Sequence, residues 1–177
     1  MNILFVCTGN ICRSPLAEQV FAQLLEAQSS QTAVPVDSAG TYAVVAAPMN
    51  SGSVAAMESL GFEPQAHSAK QLTRQLVEWA NLVLTFEEGQ RTDVVELLPR
   101  ANKYTFTLLE FANLIALFQS AAPDLDSRLA ETLLHRGMVQ QLDNLDIADP
   151  YGKDAAAFEA MANLTRSHLQ EVVAWLP

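Results

Sequence analysis

Cys7 and Arg13 are the side chains in this sequence whose types and spacing point most directly to chemistry, at the two ends of the run Cys7-Thr8-Gly9-Asn10-Ile11-Cys12-Arg13-Ser14. Ile3 to Val6 is a continuous apolar run, Thr8 to Asn10 reads as a tight turn, and Ser14-Pro15 followed by Leu16, Val20 and Leu24 reads as a helix start with an apolar face. Strand, loop and helix together place a thiol at the end of a buried strand and a guanidinium in the first turn of a helix. The N–H groups of Thr8 through Arg13 can then turn inward around a tetrahedral oxyanion. The helix N-terminus adds partial positive charge and Arg13 a two-pronged donor. The same field favours the thiolate of Cys7, the form competent as a nucleophile. A cysteine after an apolar strand is ordinarily a small core residue. An arginine six positions on, a serine beside it, glycine and asparagine in the turn and a helix start must all coincide here, which favours the nucleophile.

The totals bound what such a site can belong to. With 177 residues, half of them apolar, the chain fits one domain, 1–177, with a sizeable core. Its apolar runs are far shorter than the roughly twenty residues of a membrane span, and no basic region precedes the first of them, so a cytoplasmic location is expected. A formal charge of −10 disfavours nucleic acid and anionic membranes as partners. Cys7 and Cys12, the two cysteines, are too few for a disulfide scaffold. With His67, His135 and His168 they form no recognised metal-ligand spacing, so neither metal nor cofactor is expected. Cys12 has two readings: partner of Cys7 in a reversible disulfide, or an apolar contact beneath the loop.

The run Val6-Cys7-Thr8-Gly9-Asn10-Ile11-Cys12-Arg13-Ser14-Pro15 resembles the signature of the low-molecular-weight protein tyrosine phosphatase family. The resemblance implies an α/β fold: a doubly wound, four-stranded parallel sheet with helices on both faces. It also implies a phosphocysteine intermediate, no cofactor and an aspartate near the C-terminus as general acid. By that resemblance Thr8 through Ser14 bind phosphate, Ser14 donates a hydrogen bond to the thiolate of Cys7, Ser38 holds Asn10, and His67 hydrogen-bonds toward Asn10 without transferring protons. Asp149, in Asp149-Pro150, is the acid, expected to be kept protonated in the phosphorylated complex by pocket burial and nearby phosphate. Tyr151 and Ile11 line the substrate pocket, while Tyr42 or Val44 stands where the family has a bulky wall residue. The chain has Asn81 and Phe86 where the family usually has aspartate and methionine, and Gly152 where many members carry a second aromatic residue.

The elements that must position these residues follow from periodicity and punctuation. Helices are predicted over Pro15 to Ala27, Asn50 to Leu60 (stopped by Gly61), Leu72 to Trp79, Glu87 to Leu98, Leu108 to Phe118 and Asp154 to Leu176. Strands are predicted over Ile3 to Val6, Ala33 to Ser38, Leu82 to Phe86 and Asn102 to Phe106. Pro35 marks the second strand as an edge strand. Thr107 and Glu110 form a capping box. A helical insertion at about 121–146, before the Asp-Pro loop, carries an extra helix from Leu125 to Leu142. The alternation of strand and helix implies a parallel sheet whose ligand lies outside the strands' carboxyl ends.

The expected reaction is hydrolysis of phosphotyrosine in a phosphorylated protein, releasing inorganic phosphate. Two rivals use the same loop. Phosphoarginine is an alternative substrate: relatives proposed to act on it share the loop but carry threonine where this chain has Ile11, and the stretch 106 to 111 is similar to theirs. Arsenate reduction with a small external thiol is the other, since the thioredoxin-coupled form needs downstream cysteines that this chain lacks. A non-catalytic phosphate-binding module would be expected to have lost the cysteine, arginine or aspartate. Oligomeric state is not expressed in the sequence.

Overall fold

The computed structural model describes residues 1–28, 34–139 and 145–177. Its centre is a sheet of four parallel strands: β1 (Ile3–Cys7), β2 (Val36–Gly40), β3 (Leu82–Thr85) and β4 (Thr105–Thr107). They stand in the order β2-β1-β3-β4. Seven α-helices complete the described residues: α1 (Arg13–Ala27), α2 (Ser51–Ser59), α3 (Arg74–Trp79), α4 (Glu88–Leu97), α5 (Leu108–Leu117), α6 (Leu125–Leu134) and α7 (Ala155–Trp175). The α/β architecture is the one expected, and β2 is an edge strand. Pro35 lies just outside it and gives its carbonyl to Ile3 N at 3.0 Å.

Central strands covered on both faces must be apolar on both, and β1 is fully buried along its length. Ile3, Phe5 and Cys7 face a core built with Leu16, Val20, Phe21, Met57, Phe111, Phe158 and Leu169, which places α1, α2, α5 and α7 on that side. Leu4 and Val6 face a smaller core with Val77, Val94 and Leu98, under α3 and α4. Edge-on aromatic pairs tie the larger core together, with centroids 5.8 Å apart for Phe5 and Phe21 and 5.5 Å for Phe111 and Trp175. Burying one such ring is worth about 1.5–3 kcal/mol.

Several boundaries differ from expectation. Helix α1 begins at Arg13, two residues before the expected start at Pro15, with Cys12 as its N-cap. The second strand is Val36–Gly40, not Ala33 to Ser38, and Ala33 lies outside the described residues. Thr73 Oγ1 accepts from Leu76 N at 3.3 Å, which starts α3 at Arg74 and not at Leu72. Residues Pro99–Lys103 wind as a 3₁₀ helix with proline at its start, so the fourth strand begins at Thr105 and not at Asn102.

The helix expected over Leu125 to Leu142 stops at Leu134, and a 3₁₀ turn over Arg136–Val139 follows. Residues 140–142 lie outside the described ones. That turn lets Arg136 stack on the Phe106 ring, 4.1 Å from its centroid, and donate to Thr105 O at 2.8 Å. The capping box of Thr107 and Glu110 is present, as is the stop at Gly61, whose φ is +82°. No helix among the described residues is long and apolar enough to cross a membrane.

Candidate active site

Between β1 and β3 the winding of the sheet reverses, and the loop after β1 lies at the carboxyl edge of that switch point. Its backbone is turned inside out relative to an ordinary loop. The carbonyls of Cys7, Thr8, Gly9, Ile11 and Cys12 accept from the amides of Thr41, Tyr42, Val44, Asn50 and Leu16, at 2.7 to 3.4 Å. The carbonyl of Asn10 accepts from His67 Nε2 at 2.8 Å. Among the described residues, the amides of Thr8 through Arg13 donate to no acceptor. A loop with its acceptors satisfied on the outside and its donors free on the inside is an anion cradle.

Asn10 holds that shape. Its φ is +53°, in the left-handed region that asparagine tolerates. Its buried amide is fully satisfied: Nδ2 donates to Ser14 Oγ and Ser38 Oγ, each at 2.9 Å, and Oδ1 accepts from Lys70 N at 2.8 Å. Ser38 Oγ in turn donates to Glu18 Oε2 at 2.5 Å. Burial pushes the Glu18 carboxyl above its usual range. Ser38 and His67, which the family resemblance implies lie against Asn10, both bond it here.

Cys7 Sγ is 3.0 Å from Ser14 Oγ. The two cysteines differ in environment. Burial pushes the Cys12 thiol up to about 11, which leaves it a neutral thiol at physiological pH. Both thiols are free.

Arg13 is 1% exposed, and a buried guanidinium needs partners. Nη2 meets Asp149 Oδ2 at 2.8 Å, and Nη1 donates to Ile147 O at 3.0 Å and to Glu87 Oε1. Nε is buried with no partner among the described residues. Asp149 arrives on the loop before α7, which Ile147 N stitches to Phe86 O at the end of β3, at 2.7 Å. Tyr151 N donates to Asp149 Oδ1 at 3.0 Å, so both carboxylate oxygens are engaged.

Glu87 and Gln90 were not singled out from the sequence. Gln90 is buried, accepts from Phe86 N and Glu87 N through Oε1, and donates from Nε2 to Thr8 Oγ1 at 3.1 Å. The signal that points to both was available: they follow β3 at its carboxyl end, the edge at which open parallel sheets bind ligands. The rim is less tightly built. Ile11 and Val44 side chains both lie over Gly9, where an added Cβ would meet them at 3.3 and 3.8 Å. Tyr151 is 63% exposed.

Comparison with known proteins agrees with this geometry. The family described as low molecular weight phosphotyrosine protein phosphatase matches residues 2–124, well over half of the chain. The chain is a member of that family. The match takes in the cradle, Ser38, His67 and Glu87 and ends just before α6.

Among relatives of this low-molecular-weight phosphatase, a protein-arginine-phosphatase of Geobacillus stearothermophilus is 38% identical over 63% of this chain and 72% of its own length. A probable low molecular weight protein-tyrosine-phosphatase, EpsP, of Ralstonia nicotianae is 30% identical over 99% of this chain and 94% of its own, so it aligns through the Asp149 loop as well. The crystal structure of a low molecular weight protein tyrosine phosphatase from T. tengcongensis superposes with a TM-score of 0.77 at 26% identity, covering 99% of both chains.

Proposed function

We propose that this chain hydrolyses phosphomonoesters in proteins by two in-line displacements, with Cys7 as nucleophile, Arg13 and the loop amides as the oxyanion clamp and Asp149 as general acid and base. The reading rests above all on one observation: among the described residues the amides of Thr8 through Arg13 are free while the loop's carbonyls are occupied, around a cysteine whose sulfur meets Ser14.

In the first step the Cys7 thiolate attacks phosphorus; an S–P bond forms, the P–O bond to the leaving group breaks, and Asp149 supplies that oxygen with a proton. In the second step water attacks phosphorus, its proton passes to the Asp149 carboxylate, and the S–P bond breaks to return the thiolate and free phosphate. Ser14 Oγ supports the departing thiolate. The amides and Arg13 stabilise the equatorial oxygens as negative charge redistributes, the kind of preorganised field that removes most of a barrier. The chain acts as one phosphatase domain in the cytoplasm, where a reduced Cys7 persists.

Phosphotyrosine is the preferred substrate. Tyr151 beside Asp149 and the apolar Ile11 on the cradle rim suit an aryl leaving group. Phosphoarginine is the second reading, favoured by the 38% identity to a protein-arginine-phosphatase. Ile11, where that group of relatives has threonine, weighs against it. Steady-state hydrolysis of an aryl phosphate by the wild type and by Cys7→Ser is the test: the variant should lose all measurable turnover, and activity retained by it refutes the mechanism. Rates on phosphotyrosine and phosphoarginine, measured side by side, decide the substrate.

A further inference from the structure

Thr41 N donates to Cys7 O at 2.9 Å and Tyr42 N to Thr8 O at 3.0 Å, so the segment after β2 forms a wall on one side of the cradle. Helix α4 reaches the same side, with Gln90 Nε2 on Thr8 Oγ1. Between wall and helix runs a groove of about 270 Å³ lined by Thr41, Tyr42, Gln71, Asp93, Glu96 and Leu97. Asp93 lies three residues beyond Gln90 and Leu97 seven, so the face of α4 that touches the cradle continues directly into the groove.

We propose that this groove binds a lysine or arginine of the substrate polypeptide adjacent to the phosphorylated residue, with Asp93 and Glu96 as the selecting groups. The inference rests on the phosphatase reading and names the kind of protein segment that site accepts.

Four features carry it. Asp93 is half-buried and Glu96 exposed, and neither is in an ion pair among the described residues. The cations nearest in sequence are engaged elsewhere: Arg91 with Glu110 and Asn102, and Arg100, four residues after Glu96, with Glu78. Asp93 and Glu96 are therefore left to pair with a cation that the substrate brings. Next, the wall is rigid: Gln71 clamps it, donating from Nε2 to Thr41 O at 2.8 Å and accepting from Ala43 N at 3.0 Å. Thr41 Oγ1, on the groove's lining, is buried with no partner among the described residues.

The Tyr42 ring is 73% exposed and offers a face to a guanidinium or to the methylenes of a lysine. Finally, the groove and the cradle share the wall of Thr41 and Tyr42, whose amides bond Cys7 O and Thr8 O, so an occupant covalently attached to the phosphorylated residue pays little extra entropy on binding.

The test measures kcat/KM on an aryl phosphate and on three phosphotyrosine peptides of equal length: one with lysines flanking the phosphotyrosine, one with the same lysines moved to its far end, and one neutral. The wild type should favour the flanking-lysine peptide about three- to tenfold over both others, the range set by partly exposed charge pairs. The far-lysine peptide separates the groove from the general pull of an acidic protein. Asp93→Asn with Glu96→Gln should abolish the preference while aryl phosphate turnover stays within about twofold. Asp93→Lys with Glu96→Lys should reverse it, making the flanking-lysine peptide the slowest of the three. Equal rates on the three peptides, or a preference that survives the neutral variant, overturn the groove and leave the phosphatase standing if the aryl phosphate is still hydrolysed. Failure of the wild type on the aryl phosphate overturns the phosphatase reading itself.

Discussion

Arg13 Nη2 and Asp149 Oδ2 lie 2.8 Å apart, so the group proposed to hold phosphate and the group proposed to protonate its leaving oxygen bind each other. On the proposed mechanism a phosphate dianion entering the cradle would compete with Asp149 for Arg13 and release the carboxyl toward the leaving oxygen. Glu87 on Nη1 keeps the buried guanidinium compensated meanwhile.

Asp149→Asn should therefore do two opposite things. It removes the proton donor, which lowers kcat/KM on a phenyl phosphate by about 10²–10⁴, and it removes a competitor for Arg13, which tightens inhibition by inorganic phosphate several-fold. The rate loss should shrink on a nitrophenyl ester, whose leaving group needs no proton. Equal losses on the two esters would contradict the assignment of the acid.

Ser14 Oγ accepts from Asn10 Nδ2, so its own proton is free to point at Cys7 Sγ, 3.0 Å away, in preference to Ala39 O at 3.5 Å. Ser14→Ala should lower the rate of phosphocysteine hydrolysis about tenfold or more, the scale of one lost charge-assisted hydrogen bond. Burst kinetics read this directly: the intermediate should accumulate in the variant.

Gly40 closes β2 against Cys7. A Cβ there would meet Thr8 O at 2.5 Å and Ala43 at 3.0 Å, backbone that the cradle cannot yield. Gly40→Ala should cost about 1–3 kcal/mol of stability through overpacking, read as a lowered denaturation midpoint, and should weaken phosphate protection against unfolding because the loop itself is displaced.

Alkylation should separate the cysteines. Cys12 titrates at about 11, so near pH 7 only on the order of 10⁻⁴ of it is thiolate, the reactive form. Iodoacetamide near neutral pH should modify Cys7 alone, with inorganic phosphate slowing it. Modification of Cys12 should rise only as pH climbs toward 11. Two labels per chain at neutral pH would contradict this environment.

The chain by itself determined the cradle. Its residues are consecutive, and a buried apolar strand running straight into a helix start leaves few paths for the loop between them, so Cys7 and Arg13 were legible from spacing, while the roles of Asn10 and Ser14 came with the resemblance to the family. Periodicity determined the class of fold in the same local way, and side-chain caps such as Thr107 with Glu110 were readable because both partners lie in one turn. Element ends were less so: the early close of α6 depends on Arg136 reaching Phe106 and Thr105, about thirty positions away. Only the tertiary structure decided which acids face Arg13. Glu87 and Asp149 stand 74 and 136 residues from it in the chain and meet it because β1 and β3 are neighbours and the last loop is tied to the end of β3. The groove along α4 likewise exists only because separate crossovers end at one edge of the sheet. Contacts of that kind are set by the packing of whole layers, and no local pattern of residue types encodes them.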